Sequence, residues 1–403
     1  MSKVYDEQMI AFIIQKREEE GLTWVDVAIK FSKKFEKKSG EEVTADQMSS
    51  AYRRYKNYYK QDDDKIRALK AIHRTKKTNS YTAKENRVIL DQWTQREDLV
   101  EAIDNLFKKI ELEKYKPPRQ NKKSKSKKNM TLEVLFSDVH YGKYIDNIEG
   151  NFVNLEVIRS RVRKVSDSVV KEIEREKKSF NVERCIIAMI GDIIENADFH
   201  GMESTKACEF STSRQVQESI NSIFHDLILP IALTGIRVDI PCVTGNHDRV
   251  NHNKTYVKPG EDNLTYIIYH TLQMLCKQSG LKNVTFDIPN GLVAHSEIYG
   301  NVIAWEHGDE LRNINRDTLF NQMSRRSHQI GKVINFYRVG HFHEPTSFGQ
   351  GKAMVNGSVP GQDDYAQSKG FSSEPIQILN YYVETDKRST CFFRSFPIYL
   401  SGK

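Results

Sequence analysis

The sequence predicts an α/β fold preceded by an all-α region, and three observations carry that prediction. From residue 131 onward, apolar runs of strand length alternate with stretches of helical periodicity, the pattern of a βαβ-built sheet. Strand-like runs then cluster towards the C-terminus and add antiparallel strands to that sheet. Residues 6–60 and 82–112 instead carry their apolar residues at helical spacing.

Residues 1–62 read as three short helices. The first has Met9, Ile10, Ile13 and Ile14, the second Leu22, Trp24, Val25, Ala28, Ile29 and Phe31, and the third opens on T44-A-D-Q47, a capping-box pattern. In the third helix Met48, Ala51, Tyr52 and Tyr55 can face a core while Arg53, Arg54, Lys56 and Lys60 point elsewhere. The unit resembles Myb-like or homeodomain-like domains, which implies a third helix in the DNA major groove. A helical docking module with a solvated basic face is the alternative.

Residues 63–115 form a helical connector whose long helix, 82–112, opens on T82-A-K-E85. Its Trp93, Val100, Ile103, Phe107 and Ile110 fit a heptad seam that Arg96 interrupts. Such a seam packs against the following domain or serves a homodimer or protein partner. Residues 116–129 are rich in Lys, carry two prolines and have almost nothing apolar, so they read as an extended linker. Seven of the 61 Lys and Arg fall between Lys116 and Lys128 with no acid among them, so the rest of the chain is balanced against its 54 Asp and Glu. The whole excess of +7 sits in this run, and Lys122, Lys123, Lys125, Lys127 and Lys128 are suited to phosphate backbones.

Residues 130–403 read as one larger α/β domain. Strands are expected up to Asp138, up to Asp192 and over 237–244, then at 283–288, 298–306, 335–340, 353–357, 376–383 and 390–397; helices are expected around 154–178, 213–230 and 262–279. At 403 residues there is room for a large core and more than one domain. No run of 18 apolar residues and no signal-peptide core are present, so a soluble cytoplasmic protein is expected. Five Cys without a CxxC pair point to reduced thiols rather than disulfides or zinc fingers.

Five apolar runs end in Asp, His or Asn, where open α/β sheets bind their ligands. These are D138-V-H140, G191-D192, G245-N246-H247-D248, His307 and G340-H341-F-H343. In that order they resemble the signature of the calcineurin-like metallophosphoesterases over residues 130–360, in general style nearest to the DNA repair exonucleases. The resemblance implies two β-sheets sandwiched between helices, a four-layer αββα arrangement. It also implies two divalent metal ions, one held by Asp138, His140 and His343, the other by Asn246, His307 and His341, with Asp192 bridging. A water shared by the ions would supply hydroxide for in-line attack on phosphorus.

Mixed carboxylate, imidazole and amide donors suit manganese first, with iron, zinc or magnesium as alternatives. His247 is left to protonate or stabilise the leaving oxygen. Asp248 and Asp309 are placed to orient ligand imidazoles, and Arg249 to meet a substrate phosphate or remain an ordinary surface residue. One departure is clear: many such nucleases carry His three positions after the GD aspartate, and here that position is Glu195. His200 is the substitute candidate. The remaining histidines lack such a context.

A metal-dependent DNA nuclease is therefore expected, exo- or endonucleolytic. A phosphatase acting on protein, nucleotide or another phosphoester is the alternative enzyme, and an inactive DNA-binding or scaffold protein the alternative from another class.

Overall fold

A computed structural model describes residues 7–35, 43–60, 114–119, 123–148, 150–197, 207–250, 260–363, 374–385 and 391–401. The chain divides into two compact units, residues 1–97 and 98–403. The expected connector helix 82–112, His200 and Lys122 lie outside the described residues.

In the first unit, α1 (Glu7–Ile14) runs through a π-type turn into α2 (Trp24–Phe35) and α3 (Ala45–Lys60). Thr44 and Gln47 cap α3 reciprocally: the Gln47 N–H donates to Thr44 Oγ1 at 3.3 Å and the Thr44 N–H to Gln47 Oε1 at 3.2 Å. The core holds Phe12, Ile13, Val27, Ala28, Phe31, Met48 and Ala51. Val25 and Ile29, expected on the apolar stripe of α2, are exposed instead. At 100° per residue, the stripe through Val27, Ala28 and Phe31 leaves them on the far side.

The second unit contains two mixed sheets. In the first, β1 (Asn129–Phe136), β4 (Asn181–Ile190), β5 (Arg237–Val243) and β6 (Val284–Asp287) are parallel, and β12 (Ile376–Val383) and β13 (Phe392–Tyr399) extend it antiparallel beyond β1. The second has the order β10 (Thr346–Phe348), β11 (Ala353–Val355), β9 (Ile334–Val339), β8 (Asn301–Glu306) and β7 (Ala294–Ile298), with β11, β9 and β8 parallel. A small hairpin, β2 (Ile145–Ile148) with β3 (Asn151–Val153), follows β1.

Strand alternation sets the layers. Leu132, Val134 and Phe136 of β1 join a core with α4 (Leu155–Glu176), α5 (Thr212–Ser222) and α6 (Leu264–Gln278). Leu135 turns to the opposite face, where Ile186, Ile190 and Val243 meet Ala294, Ile303, Trp305 and Phe336 of the second sheet. Leu319 and Met323 of α7 (Arg316–Ile330) cover the outer face of that second sheet. Helices, sheet, sheet and helix thus lie in four layers. The sequence had not shown α7, which begins at the Asn315 cap, accepting the Thr318 N–H at 2.8 Å, and ends at Gly331.

Deep between the sheets, Glu133 of β1 takes four donors: Trp305 Nε1 at 2.6 Å, Arg338 Nε at 3.2 Å, the Tyr382 hydroxyl at 2.6 Å and Asn380 Nδ2 at 2.9 Å. The run expected as an extended linker is partly docked. Ser124 and Lys127 carbonyls both accept from Asn181 Nδ2 at 2.8 Å, Lys127 Nζ donates to the Lys177 carbonyl at 2.9 Å, and Lys123 pairs with Glu183.

Candidate metal centre

All five polar motifs follow the C-terminal ends of parallel strands, β1, β4 and β5 in one sheet and β8 and β9 in the other. The β1–β4 ladder continues past the strands. Asp138 N–H donates to Gly191 O at 3.1 Å, Val139 N–H to Asp192 O at 2.9 Å, and Glu195 N–H to Tyr141 O at 3.0 Å. The chain must turn sharply to aim side chains inward, and Asp138, His140, Asp192, His341 and His343 all adopt φ between 50° and 70°. Such a backbone costs about 1–3 kcal/mol per residue and persists where surrounding structure enforces it, typically at functional sites. Gly245 and Gly340 permit the close approach, because a Cβ on either would strike Asp192 or Asp138.

Three groups of donor atoms form within this cluster, each with its ligand atoms inside 4.8 Å of one another: Asp138 with His140 and His343, His140 with Asp192 and His247, and Asp192 with His307 and His341. His140 Nε2 and His343 Nε2 face each other at 3.2 Å, and Asp138 Oδ1 lies 3.4 Å from His343 Nε2. His307 donates through Nδ1 to the Ile190 carbonyl at 2.8 Å, an obligate acceptor. Its Nε2 is thereby directed at Asn246 Oδ1 and Asp192 Oδ2, each 3.1 Å away.

The donor set fits divalent cations. Asp192 Oδ2 is buried without a hydrogen bond, although Oδ1 accepts the His247 N–H at 2.8 Å. An orphaned carboxylate oxygen surrounded by imidazole nitrogens is a costly arrangement unless a cation completes it. Burial opposes the charge on His307, but the adjacent Asp192 carboxylate outweighs it and holds this imidazole up at about 10. Burial and the nearby His307 push His341 down to about 4.

His247 donates from Nδ1 to the Glu195 carbonyl at 2.8 Å, which leaves Nε2 as its chemically active nitrogen. The role expected of Asp248 differs from what is seen. Asp248 accepts backbone N–H groups of Asp192 and Gly245 at 2.8 Å, Ile193 at 3.1 Å and Ile194 at 3.4 Å, so it shapes the loop rather than an imidazole. Asp309 pairs with Arg249, which is only 7% exposed, so Arg249 ties the two loops together rather than lying on the surface.

The imidazoles are oriented by groups outside the expected set: the Ile190 carbonyl for His307, the Glu195 carbonyl for His247, and the Glu195 carboxylate for His140, 2.8 Å from Nδ1. Asn196, with φ 62°, donates to the His247 and Arg249 carbonyls at 2.8 and 2.9 Å. Ser137 donates to Asp138 and is itself held by Asn356 Nδ2 at 3.0 Å. Backbone carbonyls leave no trace in a sequence, but Glu195 was visible as a departure from the resemblance. The Gly-rich loop after Ser358 is pinned through residue 362 by Arg161 and Asn151, which donate to the carbonyls of Val359, Pro360 and Gln362.

No family model matches the chain, and no curated protein does. Among solved structures, similarity is found to a predicted phosphoesterase from Streptococcus pneumoniae (13% identity, 66% of this chain and 98% of that one, TM-score 0.27). An archaeal phosphodiesterase (12%, 66% and 99%, 0.28) and zinc-complexed Vps29 from Entamoeba histolytica (10%, 67% and 99%, 0.26) are similar at the same level. Likeness this weak lends the assignment nothing, so it rests on the chain's own residues. No described helix is long and apolar enough to cross a membrane.

Proposed function

We propose that this chain is a two-metal phosphoester hydrolase of the metallophosphoesterase type, acting on DNA phosphodiester bonds. The observation that carries the hydrolase reading is the position of Asp192: it belongs to two of the three donor clusters, and its buried Oδ2 faces the His307 imidazole at 3.1 Å outside hydrogen-bond geometry. Asp138, His140 and His343 would hold one ion, and Asn246, His307 and His341 the other, with Asp192 shared. Two such ions supply a nucleophile at neutral pH and charge stabilisation for in-line displacement.

The protein's own groups do the rest. His247, fixed through Nδ1, presents Nε2 to protonate the leaving oxygen. Asp248 holds the Asp192 and Gly245 backbones together, so ligand and proton donor keep their spacing.

The DNA specificity rests on charge placement. Lys116, Arg119, Lys125 and Lys128 are exposed on the second unit, and Arg53 is exposed on α3. End-labelled single- and double-stranded DNA incubated with Mn²⁺, Mg²⁺ or chelator tests the reading directly. Metal-dependent cleavage supports it, while release of inorganic phosphate from monoesters with DNA left intact identifies a phosphatase. Neutralising Lys116, Arg119, Lys125 and Lys128 should flatten the dependence of log K on log salt by about 0.9 for each phosphate that these side chains no longer neutralise.

A further inference from the structure

We propose that Glu195 is the positioning residue for His140, completing a relay Asp363–Lys143–Glu195–His140 that sets the affinity of one of the two metal positions. The inference rests on the two-metal reading above and deepens it.

Glu195 Oε1 accepts from Lys143 Nζ at 2.8 Å, and the same ammonium reaches Asp363 Oδ2 at 2.9 Å. Charge compensation of Lys143 therefore needs only one oxygen of Glu195. The other, Oε2, lies 2.8 Å from His140 Nδ1, an ion-pair contact that is the shortest either atom makes to a charged group, and both atoms are buried with no hydrogen bond among the described residues. A carboxylate serving Lys143 alone would have no reason to send its second oxygen to a ligand imidazole.

Both ends of the contact are also fixed by backbone. Lys143 N–H donates to His140 O at 2.9 Å, and Glu195 N–H donates to Tyr141 O at 3.0 Å. The sequence D138-V-H140-Y-G-K143 thus folds its cation back over its own ligand.

With Nδ1 facing a carboxylate, His140 keeps its proton on that nitrogen and offers Nε2, the atom that faces His343 Nε2 at 3.2 Å. A carboxylate on the far nitrogen fixes the tautomer and raises the basicity of a ligand imidazole, and its loss weakens metal binding by about 10–100-fold. A second duty is carried by a different atom: the Glu195 carbonyl holds His247. Side-chain substitution therefore separates ligand positioning from proton delivery.

The test uses full-length protein stripped of metal and titrated with Mn²⁺, read by calorimetry and by the electron paramagnetic resonance of free Mn²⁺. Wild type should take up two ions. Glu195→Gln should weaken one of them by about 10–100-fold and leave the other unchanged. Hydrolysis of a small chromogenic phosphodiester should return to near the wild-type rate once Mn²⁺ is raised to saturation, a recovery His247→Ala should not show. Glu195→Asp keeps the charge opposite Lys143 while retracting it from His140, so it should give the same single-site loss even if Glu195→Gln folds poorly. Unchanged affinity at both positions overturns the relay. So does an equal loss at both, which would mark Glu195 as general support for the fold. Failure of wild type to bind any Mn²⁺ would show before a variant is made, and would remove the two-metal reading itself.

Discussion

The same strands carry two buried polar clusters with opposite characters. Around Glu133 every oxygen of the carboxylate is met by donors from Trp305, Arg338, Asn380 and Tyr382, and Glu133 and Arg338 themselves sit in register opposite Asn380 and Trp305. Five residues on from Glu133, and three on from Arg338, Asp138 and His341 belong to a cluster in which two imidazole nitrogens face each other and backbone is forced into the left-handed region. A satisfied network locks two sheets together. An unsatisfied one, built at the expense of strain, is a seat for a cation.

The comparison breaks most visibly at Asp192. Asp192→Asn should abolish hydrolysis, because it weakens both ion positions through one side chain, and elemental analysis should find less than wild-type metal. Full metal with full activity would sink the assignment. His247→Ala comes next: both ions stay, and the rate falls by about 10²–10⁴, as for loss of a general acid. Substrates with good leaving groups should suffer less, and an equal loss for poor and good leaving groups would refute proton delivery.

At the satisfied cluster the effect moves from rate to stability. Arg338→Met strands Glu133 as a buried charge, and unfolding by denaturant should show a loss of about 3–5 kcal/mol. Metal affinity of the folded fraction should not change. Should metal binding disappear in a variant that remains folded, the clamp would be part of the site.

Much of this was legible in advance, for a reason that differs by element. Strands β1, β4, β5, β8 and β9 are buried on both faces, so they stand out as apolar runs, and a polar residue at their ends is conspicuous. Helix α7 was not visible because it buries only Leu319, Gln322 and Met323, too few to show a period; its Asn315 and Gly331 boundaries were the available signals. The role of Asp248 was hidden because an acid beside a ligand can serve backbone as well as an imidazole. Only the fold decides which lies nearer. For the basic run, composition described an extended linker, whereas the partners that dock it, such as Asn181 and Glu183, lie more than fifty residues away.

The smallest expected effect is also the sharpest probe of whether the two clusters are independent. Tyr382 donates to Glu133 at 2.6 Å and accepts from Arg338 Nη2 at 2.7 Å, so Tyr382→Phe removes two bonds to charged groups while keeping the ring in the core. A loss of about 1.5–3 kcal/mol is expected. Mn²⁺ at a hundred times its dissociation constant should separately raise stability by about 2.7 kcal/mol for each ion bound, since it binds only the folded chain. Glu133 and Arg338 stand three to five strand residues from the ligands, or about 10–16 Å at 3.3 Å per residue. At that separation the two effects should add to within about 0.5 kcal/mol when unfolding is measured for both proteins with and without metal. A larger discrepancy would mean that the clamp sets the register of β1 against β9 finely enough to aim Asp138 at the GHxH loop, and that the satisfied cluster is the foundation of the strained one.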